Sequence, residues 1–323
     1  MNKDTNLFER MLRIRRIEEA IADKYSEQEM RCPTHFCLGQ EAIPVGVSAH
    51  LNKNDFVFSG HRSHGHYLSK GGSLNSMICE LYGKEAGCAL GRGGSQHLID
   101  LDAGFIASAP ILCGTIPIAV GSVYSINQNS NDRVSVVYFG DGATEEGVFH
   151  EALNFASVKC LPVIFVCENN LYSVHSSFDV RQPKDRSISA LGPAHGMPSY
   201  TRDGNDIEEV WDISKLVIEN ARAGKGPALL EFMTYRWLEH CGPNEDVNLE
   251  YRSQDEMDKW LDHCPIKLFE EKLYSKKILN DSLKGEIEKR ISIEIDSAFK
   301  YAKKMPFPEP DTLLNFTYPN NKL

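Results

Sequence analysis

Apolar positions along the chain recur with two different periods. From Asn6 to about Glu29, Leu7, Met11, Ile14, Ile17 and Ile21 fall at steps of three and four, which predicts an amphipathic helix packed on a core. Cys32 to Gly39 reads as loop, Gln40 to Leu51 as a second helix and Asp55 to Ser59 as a short strand. A stretch rich in glycine and histidine runs from Gly60 to Gln96, broken by a helix around Leu74 to Tyr82. Such segments pack poorly but surround ligands well. Val134 to Phe139 is a continuous β-branched and aromatic run, followed by a helix from about Thr144 to Val158 and a second apolar run from Leu161 to Cys167. Strand, helix and strand in that order predict a βαβ unit, and therefore a mostly parallel sheet with helices on both faces. The helix Ile207 to Ala223 ends at Gly224-Lys225-Gly226-Pro227, the strand Ala228 to Thr234 follows, and helices at Asp255 to Tyr274 and Ser282 to Lys303 close the chain. No repeat or low-complexity linker divides the 323 residues. We therefore expect an α/β domain over 1–245, with its N-terminal helix, and a C-terminal helical extension over 246–323.

Composition narrows the class without changing the picture. Apolar residues at 41% and charged residues at 25% are those of a globular chain, and a net charge of −10 argues against a nucleic-acid surface. The longest apolar runs fall well short of the about 20 residues needed to span a bilayer, and the charged N-terminus lacks the core of a signal peptide. A cytoplasmic protein without membrane contact is expected. Nine cysteines without a CxxC pair fit reduced thiols better than disulfides or a zinc ribbon.

The segment that carries chemistry is Gly140-Asp141-Gly142-Ala143-Thr144, followed 29 positions after Asp141 by Asn170 in Glu168-Asn169-Asn170-Leu171-Tyr172. In a βαβ unit Asp141 and Asn170 both lie just beyond the carboxyl ends of neighbouring strands, where open parallel sheets bind ligands. Mg²⁺ takes about six oxygens and is usually shared between one or two protein groups and phosphates. The Asp141 carboxylate, the Asn170 amide oxygen and a backbone carbonyl near Tyr172 would leave room for two phosphate oxygens and a water. Gly140 and Gly142 let the backbone approach a diphosphate, and the amides near Ala143 and Thr144 offer it hydrogen bonds. Alone, the Gly-Asp-Gly is equally a turn after a strand. The spaced asparagine pair favours the metal reading.

With these motifs in view, the chain from about Met11 to Asp246 resembles the alpha subunit of the thiamine-diphosphate-dependent decarboxylating component of 2-oxo acid dehydrogenases, the family of pyruvate, branched-chain and acetoin dehydrogenases. Further matching stretches are Gly39-Gln40-Glu41-Ala42, His61-Arg62-Ser63-His64-Gly65, Gly91-Arg92-Gly93-Gly94-Ser95, Pro117 to Gly121, and Tyr235-Arg236 with His240. The resemblance implies a thiamine-diphosphate-binding fold. It implies that Arg62 contacts the diphosphate, that His64 sits near the thiazolium and assists acyl transfer, that Leu112 props the bent cofactor, and that His240 lies beside the diphosphate and the reacting carbon. His61 joins the cofactor contacts. It further implies a beta subunit that supplies the activating glutamate in an assembly of two alpha and two beta chains, and a lipoyl-bearing acyltransferase as acceptor. The substrate would be a small 2-oxo acid or an acyloin such as acetoin. Blander readings stand beside these: Arg62 as a surface ion pair, Leu112 as a core residue, His240 as an exposed loop residue. His61, His64 and His66 could form a zinc cluster, although no cysteine or carboxylate lies near them in sequence to complete it. A silent scaffolding chain or a non-oxidative carboligase are the rival functions. Three departures from the family stand out. His61 occupies a position that is often tyrosine, larger residues fill Ala109 to Cys113, and Cys241 replaces a regulatory serine of the mammalian members, which excludes phosphorylation there.

Overall fold

A computed structural model describes residues 2–30, 32–127 and 132–315. In chain order its helices are α1 Lys3–Tyr25, α2 Ala42–Ser48, α3 His64–Lys70, α4 Leu74–Leu81, α5 Ile116–Asn127, α6 Gly147–Val158, α7 Phe178–Arg181, α8 Leu191–Ala194, α9 Ile207–Arg222, α10 Gln254–Asp262, α11 Pro265–Ser275 and α12 Asp281–Lys304. The strands are β1 Phe56–Ser59, β2 Phe105–Ser108, β3 Ser135–Gly140, β4 Val163–Asn169, β5 Tyr172–Ser173, β6 Ser176–Ser177, β7 Ser199–Asp203 and β8 Ala228–Met233. Six strands form one parallel sheet in the order β2-β1-β3-β4-β8-β7, while β5 and β6 form a small antiparallel hairpin.

The continuous apolar runs of β3 and β4 follow from burial on both faces. Successive side chains of a strand point to opposite faces, so Val136 and Tyr138 join Ile164 and Val166 in a core with α1, α2 and α9. Val137 and Phe139 join Phe165 and Cys167 in a second core with α5 and α6. The predicted βαβ unit is β3-α6-β4, paired in parallel with Gly140 opposite Glu168. α11 and α12 pack on α1, and α12 also on α4, so Ile287, Ile291 and Ile295 belong to the first core.

Several expected boundaries need correction. The helix expected from Thr144 is a 3₁₀ turn over Asp141–Glu145 and then α6, because Glu146 is extended (ψ 137). The single helix expected over Asp255 to Tyr274 is two, since Pro265 stands at the first position of α11, where its missing N–H costs nothing. α3, β2 and β7 were not expected. Among the described residues no helix is long and apolar enough to cross a membrane.

Candidate active site

Parallel strands deliver the loops that follow them to one edge of the sheet. β1 is followed by Gly60, His61 and Arg62, β3 by Asp141 and Gly142, β4 by Asn170, and β8 by the segment leading to Arg236 and His240. Residues from all four line one cavity of about 330 Å³, within the usual range for a small-molecule site. Of the residues singled out in the sequence, His61, Arg62, Leu112, Gly140, Asp141, Gly142, Asn170, Tyr172 and His240 line it.

The register of β3 on β4 sets Asp141 beside the asparagine pair. Asn169 is turned inward: its Nδ2 donates to Glu231 Oε1 at 2.9 Å and its Oδ1 accepts from the Leu171 amide at 3.1 Å. Asn170 is the member that reaches the cavity, and its Oδ1 accepts from the Tyr172 amide at 3.3 Å. Leu171 (φ 70°) and Val174 (φ 56°), on either side of Tyr172, hold left-handed conformations that are costly for such side chains and that concentrate at functional sites. The Tyr172 hydroxyl is committed elsewhere, donating to Glu256 Oε2 at 2.6 Å, so only its backbone faces the metal question. Asp141 is buried and bonds Arg181, which also bonds Glu145. Burial outweighs that arginine, so its carboxyl titrates above the usual carboxylate range. The available donors at these strand ends are all oxygens, the set Mg²⁺ prefers. Around Gly140 the position of an absent Cβ is open space, which leaves the backbone accessible to a phosphate.

On the opposite wall, three loops are tied together. Trp237 N donates to Leu38 O at 3.1 Å and Gly242 N to Thr34 O at 2.9 Å. Gly39 (φ +94°) is required at that junction, since a Cβ would stand 2.6 Å from both Trp237 Nε1 and Tyr235 O. The Arg62 guanidinium completes the tie by donating to the carbonyls of Phe36 and, at 3.3 Å, His240. Among the described residues its hydrogen bonds run to carbonyls and none to a carboxylate. Burial, reinforced by Arg236, lowers its pKa to about 10. A desolvated guanidinium without a carboxylate partner is a strong attractant for an anion.

The junction also gathers His35, His61 and His240, with ring centroids 4.5, 4.9 and 5.3 Å apart. Burial and then the Arg62 charge depress their pKa values to about 2, about 3 and about 4, so all three imidazoles are neutral at pH 7. His35 had not been singled out. Nor had Gln40, which lines the cavity almost fully buried with neither side-chain oxygen nor nitrogen hydrogen-bonded. Glu168 lines the floor and pairs with His66 at 3.0 Å, and Gln96 and Arg181 also went unnoticed. Only Gln40 and Glu168 had a signal in the sequence, as members of the quoted motifs.

Two expectations do not match the geometry. His64 does not line the cavity; it is fully buried, with Nδ1 2.5 Å from Glu18 Oε1 and Nε2 2.7 Å from Ser95 Oγ. The other Glu18 oxygen accepts from the Cys37 amide at 2.7 Å, so His64 braces the loop that carries His35. It stands at the first position of α3, two residues after Arg62. Ala143 is likewise buried beneath the cavity wall, its carbonyl accepting from Cys113 Sγ at 3.0 Å. The zinc alternative built on His61, His64 and His66 fails for the same reason. His66 lies stacked on Tyr138 with both nitrogens bonded, to Ser59 and Glu168.

Fold and cavity together define an α/β protein with a cavity at the carboxyl edge of a parallel sheet, lined by a desolvated guanidinium and a set of oxygen donors. A family model described as "Dehydrogenase E1 component" matches residues 9–311, and the chain belongs to that family. It is 37% identical to the alpha subunit of acetoin:2,6-dichlorophenolindophenol oxidoreductase from Bacillus subtilis (strain 168), over 97% of this chain and 92% of that one. It is 32% identical to the pyruvate dehydrogenase E1 component subunit alpha of Porphyra purpurea, over 98% and 92%, and 33% identical to the acetoin subunit of Cupriavidus necator, over 98% and 95%. The resemblance to a thiamine-diphosphate-dependent alpha chain, read from the sequence, agrees with both comparisons.

Proposed function

We propose that this chain is the alpha subunit of a thiamine-diphosphate-dependent 2-oxo acid dehydrogenase, which decarboxylates a 2-oxo acid such as pyruvate and transfers the acyl group to a lipoyl group on a separate acyltransferase. Two alpha and two beta chains form the working assembly. The observation that carries the reading is the meeting, in one cavity, of the oxygen donors of Asp141 and Asn170 with the desolvated Arg62. Asp141, Asn170 and the Tyr172 carbonyl hold Mg²⁺, Arg62 binds the diphosphate, and Gly140 and Gly142 give it room. Thiamine diphosphate supplies, when bound, the electron sink that makes loss of carbon dioxide feasible. Gln40 offers a buried donor and acceptor to whatever fills the cavity. His240, neutral and at the cavity wall, accepts and returns a proton. His61 works beside it, while His64 serves by positioning the His35 loop.

A second reading is favoured by the Bacillus subtilis relative: cleavage of acetoin, an acyloin, in the same site. Both are tested by purifying the chain with its beta partner and assaying a panel of 2-oxo acids and acetoin with an artificial electron acceptor. Turnover that requires both chains, thiamine diphosphate and Mg²⁺ is expected. Robust activity of this chain alone, or none on the whole panel, would overturn the proposal.

A further inference from the structure

We propose that His35, His61 and His240 form a second metal site in the cavity, selective for zinc-class ions and separate from the oxygen donors at the strand ends. One ring nitrogen from each lies within 4.8 Å of the others. Nitrogens around a tetrahedral zinc ion stand about 3.3 Å apart, so each would move inward by at most ~0.9 Å, a small ring rotation. The three come from separate segments held together by the Leu38, Thr34 and Arg62 hydrogen bonds, so the cluster is a product of the fold. Neutral imidazoles have the lone pair a metal needs. Imidazole suits zinc, copper and nickel, whereas the all-oxygen set across the cavity suits magnesium.

Among the described residues, the side chains of His61 and His240 make no hydrogen bond to the protein. His35 Nδ1 lies 3.1 Å from Gln96 Nε2, an amide donor; ligation through His35 Nε2 requires that amide to turn so that its oxygen accepts the Nδ1 proton, the arrangement that metal-bound histidines use. Three histidines with the fourth position open to a cavity are an open zinc site, in which water or an anion completes the shell. The Arg62 charge weakens binding but does not block it, because that guanidinium is turned toward the Phe36 and His240 carbonyls.

Metal binding does not rest on the proposed function. Its consequence does: zinc and the diphosphate would compete for one cavity, so zinc would block cofactor loading.

The test uses the full chain, stripped of metal and titrated with Co²⁺ while the visible ligand-field band is followed. One tetrahedral Co²⁺ per chain, displaced by Zn²⁺, is expected. His61→Tyr should weaken it by about tenfold or more while leaving the circular dichroism unchanged; His240→Gln provides a second variant should the first misfold. Soft donors outside the cavity include the half-buried His150–His195 pair, 3.4 Å apart, and the exposed Cys160 and Cys241, and His150→Asn and Cys241→Ser should leave the titration unchanged. Full-strength binding in both cavity variants, or its loss in either control, overturns the site. In a second arm, run on the alpha-beta complex, saturating thiamine diphosphate and Mg²⁺ should raise the apparent Zn²⁺ dissociation constant at least tenfold. An unchanged Zn²⁺ constant despite calorimetric binding of the cofactor would overturn the competition; absence of cofactor binding would count against the proposed function instead.

Discussion

Replacing Arg62 by methionine tests the anion site where the structure is most explicit. The guanidinium has five N–H donors, and its bonds to the Phe36 and His240 carbonyls leave others free to meet an anion. Losing one charge-assisted contact to a phosphate is worth about 1.5–3 kcal/mol, so the thiamine diphosphate dissociation constant should rise about 10- to 150-fold. Stability should change little. The two lost bonds to carbonyls are offset by removing a desolvated cation, whose burial already lowers its pKa to about 10. Arg62→Lys should fall between parent and methionine, because it keeps the charge but not the fork. Isothermal titration of the alpha-beta complex with thiamine diphosphate at fixed Mg²⁺ measures the constants, and urea unfolding checks the fold. A dissociation constant within threefold of the parent in a stably folded Arg62→Met variant would refute the assignment of this residue to the diphosphate.

The remaining expectations separate machinery from support. His64→Ala should cost about 2–5 kcal/mol in urea unfolding, because it strands the buried Glu18 carboxylate, while turnover per folded molecule falls less than about tenfold. His240→Ala should instead slow turnover by about 10²–10⁴-fold with little loss of stability, and the reverse pattern would exchange the two roles. Asp141→Asn should raise the Mg²⁺ concentration needed for cofactor binding at least tenfold, about 1.4 kcal/mol, and an unchanged requirement would remove Asp141 from the metal site. Since the folded-state pKa values of His35, His61 and His240 lie near 2, 3 and 4, below the ordinary 6.5, the unfolded chain binds more protons between those values. Their contribution to stability is complete above about pH 6.5 and is lost as the pH falls toward 4 and below. Denaturation midpoints from pH 7 to 4 should fall less steeply in His61→Tyr, and identical slopes would show that His61 does not contribute.

What was legible in the sequence was what local chemistry dictates. β3, β4 and β8 announce themselves because strands buried on both faces are unbroken apolar runs, and Asp141 with Asn170 because each directly follows such a run. α3 was hidden, since His64-Gly65-His66-Tyr67-Leu68-Ser69-Lys70 carries no helical stripe and little helix propensity. β7 was hidden because its residues, Ser199 to Asp203, are only partly buried or exposed at the sheet edge and so lack a two-residue alternation. The Pro265 break was visible in principle and was overridden by the apolar spacing around it. At the site, the limits were those of distance along the chain. Nothing near His35 or Arg181 in sequence signals that one will stand beside His240 and the other on Asp141, because loop closure alone brings them there. His64 is the converse case: closeness to Arg62 in sequence does not put it on the cavity wall, because both of its ring nitrogens are engaged by Glu18 and Ser95.

The division of labour inside the cavity follows from the backbone that supplies each wall. Strand ends held in register by β3 and β4 place short side chains and carbonyls with little freedom, which suits a small cation demanding near-ideal geometry. The loops after β1 and β8 instead bring large side chains, Arg62, His61 and His240, whose positions depend on the hydrogen bonds linking those loops to residues 34–38. Such a wall tolerates the exchange of one imidazole for a phenol more readily than the strand ends would tolerate a lost carboxylate. The mouth is different again. Leu112 is 41% exposed, its neighbour Ile111 73%, and Val174 is exposed as well, apolar surface that water covers poorly. Leu112 and Val174 also line the cavity, so whatever chain covers this surface would close over the ligand itself. A polar floor and an apolar rim within one chain is the arrangement expected when a partner chain supplies the rest of the site.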